Sequence, residues 1–104
     1  MAKYLLAYSG GSAPDTEEAQ AAVMQAWTAW FTDLGAAVVD GGNPFGASAL
    51  ISADGTVGSS GPSGLTGYSI LSADSLAAAT ATAKGCPVLS GGGAVEVYEI
   101  VDVM

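Results

Sequence analysis

Asp40 closes a short apolar run and precedes Gly41, Gly42 and Asn43. A carboxylate at a strand end could reach into a cleft and accept a proton there. The same residue type also caps turns through local hydrogen bonds, which gives Asp40 a purely structural use as well. Tyr8 and Tyr68 fall in strand-like runs, and hydroxyls turned inward would suit a polar small molecule. Each would serve equally as a core aromatic. With Asn43 and Ser60 they make up the expected ligand-binding set. Ser60 has no histidine or lysine base near it in sequence, so it has no evident route to becoming a nucleophile. Cys86 precedes Pro87 just past a predicted helix, where the negative end of the helix dipole raises a thiol pKa and leaves the sulfur inert. Glu96 and Asp102 share one side of a predicted strand and Glu99 takes the other, an arrangement that suits a solvated edge or a dimer rim. Paired carboxylates for acid–base work or a hard cation would need a shared face.

These residues must be held by a small number of elements. Ala2 to Tyr8 is a compact aliphatic and aromatic run that stops at Ser9-Gly10-Gly11, as a buried strand does at a turn. Past Pro14 the period changes: Val23, Trp27, Trp30, Phe31 and Leu34 recur on one helical face. Asp15 or Thr16 is the expected N-cap, Glu17 and Glu18 favour the first turn, and Gly35 supplies the stop. The aromatic stripe of that helix reads as packing against a sheet. Ala36 to Asp40 is a second short strand broken by Gly41-Gly42-Asn43-Pro44. Asp54-Gly55 marks a hairpin between Ala47–Ala53 and Thr56–Ser59.

Gly67 to Ala73 is β-like, with Tyr68 and Ile70 on one side and Ser69 and Leu71 on the other. Asp74 or Ser75 caps a second helix whose core face is small, Leu76, Ala79 and Ala83, and which closes at Lys84-Gly85. Ala94 to Val103 forms the last strand. The glycine run before it lies ahead of a strand, so no helix N-terminus there points at a phosphate. The order is β-α-β, a small hairpin, then β-α-β. Two right-handed split β-α-β units imply an α+β ferredoxin-like βαββαβ sandwich with both helices on one face of an antiparallel sheet. The apolar content exceeds what one helix pair can cover, so the other face is expected to be buried by a second copy of the chain.

Composition narrows the partners. The 104 residues are half apolar, with 10 acidic and 2 basic side chains and a formal charge of −8. One domain spanning 1–104 is expected, able to bury about 65% of its unfolded surface in one core. With only Lys3 and Lys84 positive, the chain cannot neutralise a phosphate backbone, so nucleic acid and anionic membranes are poor partners. Without histidine, a zinc or iron site would need carboxylates alone, so neither a metal nor a cofactor is expected. The first residues form neither a signal peptide nor a membrane span, which makes a cytoplasmic location the default expectation.

The opening AKYLLAY, the tyrosine-bearing GYSIL, the segment SADSLAAATATAKGCP and the ending GGAVEVYEI resemble the YCII-related proteins that carry a DGPF motif. The resemblance runs along nearly the whole chain in the right order. Its most specific piece is Gly85-Cys86-Pro87 followed by Gly93-Ala94-Val95-Glu96-Val97. Where that family has DGPF and an acidic residue, this chain has Ser60-Gly61-Pro62-Ser63, and the histidine of the family's proposed proton-transfer dyad is absent. The resemblance implies a ferredoxin-like protomer and a dimer whose two sheets close a barrel with a cleft; it implies no reaction. The expected function is that of a small YCII-like homodimer of unknown activity with a cleft for a small polar or apolar ligand, non-catalytic or catalytically divergent. The alternative is a cofactor-free lyase, isomerase or oxygenase that uses Asp40 as a carboxylate base, by fold analogy.

Overall fold

A computed structural model describes residues 2–10, 15–58 and 64–103. Six strands and two helices follow in the order β1 (Ala2–Gly10), α1 (Glu17–Leu34), β2 (Val38–Asp40), β3 (Leu50–Ile51), β4 (Val57–Gly58), β5 (Leu65–Ala73), α2 (Leu76–Ala83) and β6 (Gly93–Ile100). Short 3-10 segments at Gly35–Ala37 and Pro87–Gly91 link α1 to β2 and α2 to β6. Four strands form an antiparallel sheet in the order β2-β5-β1-β6, and β3 and β4 form a separate two-stranded hairpin. This is a mixed α+β architecture, compatible with the ferredoxin-like arrangement expected from the sequence. No helix among the described residues is long and apolar enough to cross a membrane.

Strand alternation decides what each face carries. Leu6 lies opposite Ser69 on one side and Val97 on the other, while Tyr8 lies opposite Gly67 and Val95. On that face Leu6, Tyr8, Leu71, Ala83 and Cys86 form the buried core, with Trp27, Trp30, Leu34, Val38, Val88, Val95 and Val97 packed against it. Both helices therefore sit on one side. Lys3, Leu5, Ala7, Tyr68, Ile70, Ser72, Glu96, Tyr98 and Ile100 point to the other side, which no helix covers. There Tyr98 is 51% and Ile100 40% exposed.

The helices differ from expectation in instructive ways. Thr16, whose Oγ1 accepts from the Ala19 N–H at 3.1 Å, caps α1. Removing that acceptor in Thr16→Ala is expected to cost about 1 kcal/mol, a drop of roughly 4–8 °C in a thermal melt. The periodic face of α1 is only half-buried: none of its residues is fully covered, and Val23 at its N-terminal end is 41% exposed. In α2, Ser75 is the cap, and Ala79 and Ala83 are buried, but Leu76 is exposed rather than in the core. Two alanines without bulk let α2 approach the sheet closely, and Leu76 lies off that line. Lys84 closes α2 in a right-handed conformation, with no left-handed glycine, because the backbone turns directly into Cys86 and the 3-10 segment beyond it. The second strand starts two residues later than expected, since 35–37 wind as a 3-10 turn, and the hairpin strands are shorter than read.

Candidate functional site

Beyond β2 the chain does not leave the sheet. The Tyr68 N–H donates to the Asn43 carbonyl at 3.3 Å and the Phe45 N–H to the Thr66 carbonyl at 2.9 Å, so residues 43–45 run beside β5. That tether forms one wall of a cleft of about 370 Å³; α1 forms the opposite wall. Tyr8, Trp27, Phe31, Asn43, Tyr68 and Ser69 are among its lining residues. A broader groove of about 980 Å³ runs along α1 toward Pro87–Gly91. Its polar lining residues, Asp33, Thr66 and Ser90, are all exposed, whereas the smaller cleft reaches two deeply buried polar side chains.

Those two are Tyr8 and Ser69, at 5% and 0% exposure. The alternation of β1 places Tyr8 on the helix side, and the Trp27 ring meets it edge-on with centroids 5.1 Å apart. Trp27 in turn lies 5.7 Å from Phe31 and 5.9 Å from Trp30, so one aromatic layer roofs the cleft. Ser69 donates its hydroxyl to the Gly41 carbonyl at 2.7 Å. The Tyr8 hydroxyl is buried with no hydrogen bond of good geometry among the described residues. Burial drives its pKa well above that of an ordinary tyrosine; the neighbouring Ser69 hydroxyl offsets part of the rise, and Cys86 adds to it. It is a neutral donor at every physiological pH.

Asp40 and Tyr68 meet elsewhere. The Asp40 Oδ1 accepts the Gly42 N–H at 2.8 Å, the local turn cap anticipated for this residue, and Oδ2 accepts the Tyr68 hydroxyl at 3.3 Å. Phe45 stacks on the Tyr68 ring at 5.8 Å and 19°. The Tyr68 side chain leaves β5 on the uncovered side of the sheet, so its hydroxyl stands apart from that of Tyr8. Of the expected set, Tyr8, Asn43 and Tyr68 line one cleft, Tyr68 with its hydroxyl turned away from it, and Asp40 is not among the lining residues. Ser60 lies outside the described residues, as does the Ser60-Gly61-Pro62-Ser63 segment.

Cys86 is buried, and burial is the main cause that raises its thiol; the Val88 backbone and the Tyr8 hydroxyl pull it partly back. Desolvation therefore leads where the dipole was expected to. Glu96 and Glu99 take opposite faces of β6, and Glu96 accepts the Tyr98 hydroxyl at 3.1 Å. That contact and the carboxylate charge raise the Tyr98 pKa. Asp102 follows the strand. Among the described residues no three carboxylate, thiol or imidazole groups gather as metal ligands would.

Ser69, Trp27 and Phe31 were absent from the expected site. The two aromatics read as sheet packing, which they partly are. Ser69 carried no signal, because only the register of β1 with β5 brings it beside Tyr8. Comparison with protein-family models, with curated proteins and with solved structures finds no match to this chain.

Proposed function

We propose that the chain is a YCII-like homodimer that binds a small molecule and carries out no chemistry on it. The observation that supports this best is the cleft under α1, which is walled by aromatic rings and has the buried Tyr8 and Ser69 among its lining residues. Pockets of this kind, mostly apolar with few polar groups, bind ligands. Asp40, the one candidate base, is exposed, and both its oxygens accept hydrogen bonds that hold the 40–42 turn and Tyr68. It therefore serves the fold before it can serve a reaction. The uncovered apolar side of the sheet supports the dimer.

A second reading keeps the cofactor-free enzyme, on the strength of the Asp40–Tyr68 contact at 3.3 Å. A carboxylate bonded to a phenol can relay a proton. Asp40→Ala separates the two: binding survives the substitution if Asp40 only holds the turn, while any turnover found in the intact protein would vanish with it.

Native mass spectrometry of freshly purified protein tests the main reading. A non-covalent adduct is expected, at up to one per protomer and lost on denaturation, with Trp27 emission shifting as the cleft fills. Adduct-free protein whose tryptophan emission no panel of small metabolites moves would overturn it.

A further inference from the structure

We infer that the β3–β4 hairpin is an arm by which two copies of this chain hold each other, with Ile51 and Val57 of each copy covered by its partner. This rests on the homodimer reading above and adds a contact beyond the sheet face. The arm itself is well made. Ile51 lies opposite Val57, so the two side chains share one face. Beyond them the Ser52 N–H donates to the Thr56 carbonyl at 2.8 Å, the Gly55 N–H donates to the Ser52 carbonyl at 2.8 Å, and Asp54 Oδ1 accepts the Thr56 N–H at 2.9 Å. Yet β3 and β4 pair with no other strand among the described residues, and Ile51 and Val57 are 69% and 65% exposed. A two-stranded hairpin alone is marginal in water and needs a further layer against it.

Area, charge and position point to a second copy as that layer. Leu50 and Phe45 are each open by nearly half as well. At about 200 Å² for a large side chain in full, the four residues offer roughly 400 Å² of apolar surface, about half of what each partner gives to a standard interface. Two chains of charge −8 repel each other, so they can meet only where each is neutral. From Gly41 to Ala73 the one charged side chain is Asp54, at the hairpin tip. That stretch holds both the arm and β5, a central strand of the uncovered face. Phe45, where the chain leaves the sheet for the arm, stacks on the Tyr68 ring on the uncovered side. The arm therefore starts beside Leu5, Ile70 and Tyr98, and one apolar surface continues from the sheet into it. In a two-fold pair each arm meets the other copy.

Light scattering over a dilution series gives the dimer dissociation constant of the intact parent, of Ile51→Asp and of Leu76→Asp. Ile51→Asp should raise it by about a hundredfold, because two apolar contacts are lost per dimer. Leu76→Asp adds the same charge at an exposed position on the helix side, where the first turn of α2 accepts it. It should leave the constant unchanged. A second measurement reads the contact without weakening it. Ala53→Cys carries a nitroxide at the exposed tip, since Cys86 is buried and stays unlabelled. Mixed with isotope-labelled parent, it should broaden amide signals of β1 and β5 in the parent copy and spare both helices. A dimeric parent whose dissociation constant ignores Ile51→Asp, or moves as far with Leu76→Asp, would overturn the inference and leave the sheet face as the dimer contact. A nitroxide that broadens nothing in the other copy, or only its helices, would do the same. A parent that is monomeric at micromolar concentration would take the homodimer reading down with it.

Discussion

Gly42→Ala is expected to destabilise the protein by more than about 3 kcal/mol, a large share of the stability of a domain this small. Gly42 has φ +76°, and a Cβ built there would lie 1.7 Å from the Tyr68 carbonyl oxygen and 2.6 Å from its carbon. Both obstacles are backbone atoms of a central strand and cannot swing aside. To admit the methyl group the chain would have to lift from β5, losing the Tyr68-to-Asn43 hydrogen bond and the Pro44–Gly67 bridge, together with the wall of the cleft. Gly55→Ala is the control. Its φ is +90°, but open space surrounds it, so only left-handed strain remains, about 1 kcal/mol. Urea melts of the two variants should differ in midpoint by the equivalent of at least about 2 kcal/mol at similar slope. Equal midpoints would show that residues 41–45 are not held against β5 in solution.

Gly42 illustrates how much of the site the sequence could carry. Gly41-Gly42-Asn43-Pro44 reads as a break after a strand, and that is correct as far as local chemistry goes. It gives no sign that Gly42 is required by the carbonyl of a residue 26 positions later, because that demand comes from strand register. The same holds for Tyr8 and Ser69, diagonal neighbours on one face of the adjacent strands β1 and β5. Elements set by local rules were legible: β1 from its apolar run, α1 from its period, and both helix starts from Thr16 and Ser75. Elements set by packing were less so. Of the expected core face of α2, Leu76, Ala79 and Ala83, the two alanines are buried and Leu76 is exposed.

Ile70→Glu is expected to turn a dimer into a folded monomer, raising the dimer dissociation constant by at least about a thousandfold. Ile70 sits in β5 between β1 and β2, with its side chain on the face that no helix covers. A compact monomer of this mass exposes about 5,300 Å² and has a radius of gyration near 13 Å. This chain exposes 6902 Å² with a radius of 15.2 Å. The excess is about 1,600 Å², shared between this face, α1 and the β3–β4 hairpin, against the roughly 800 Å² that each partner buries in a standard interface. Tyr98 and Ile100 on this face, beside Leu5 and Ile70, supply the apolar surface such an interface needs. Two-fold symmetry counts each substitution twice, so two carboxylates enter the contact at a combined cost of about 4 kcal/mol or more, which is the thousandfold change. The core lies on the opposite face, so the far-UV spectrum should not change. Light scattering across a gel-filtration peak at micromolar concentration should give twice the chain mass for the parent and the chain mass for the variant. A parent that is monomeric under those conditions, or a variant that stays dimeric, would show that this face of the sheet does not carry the contact.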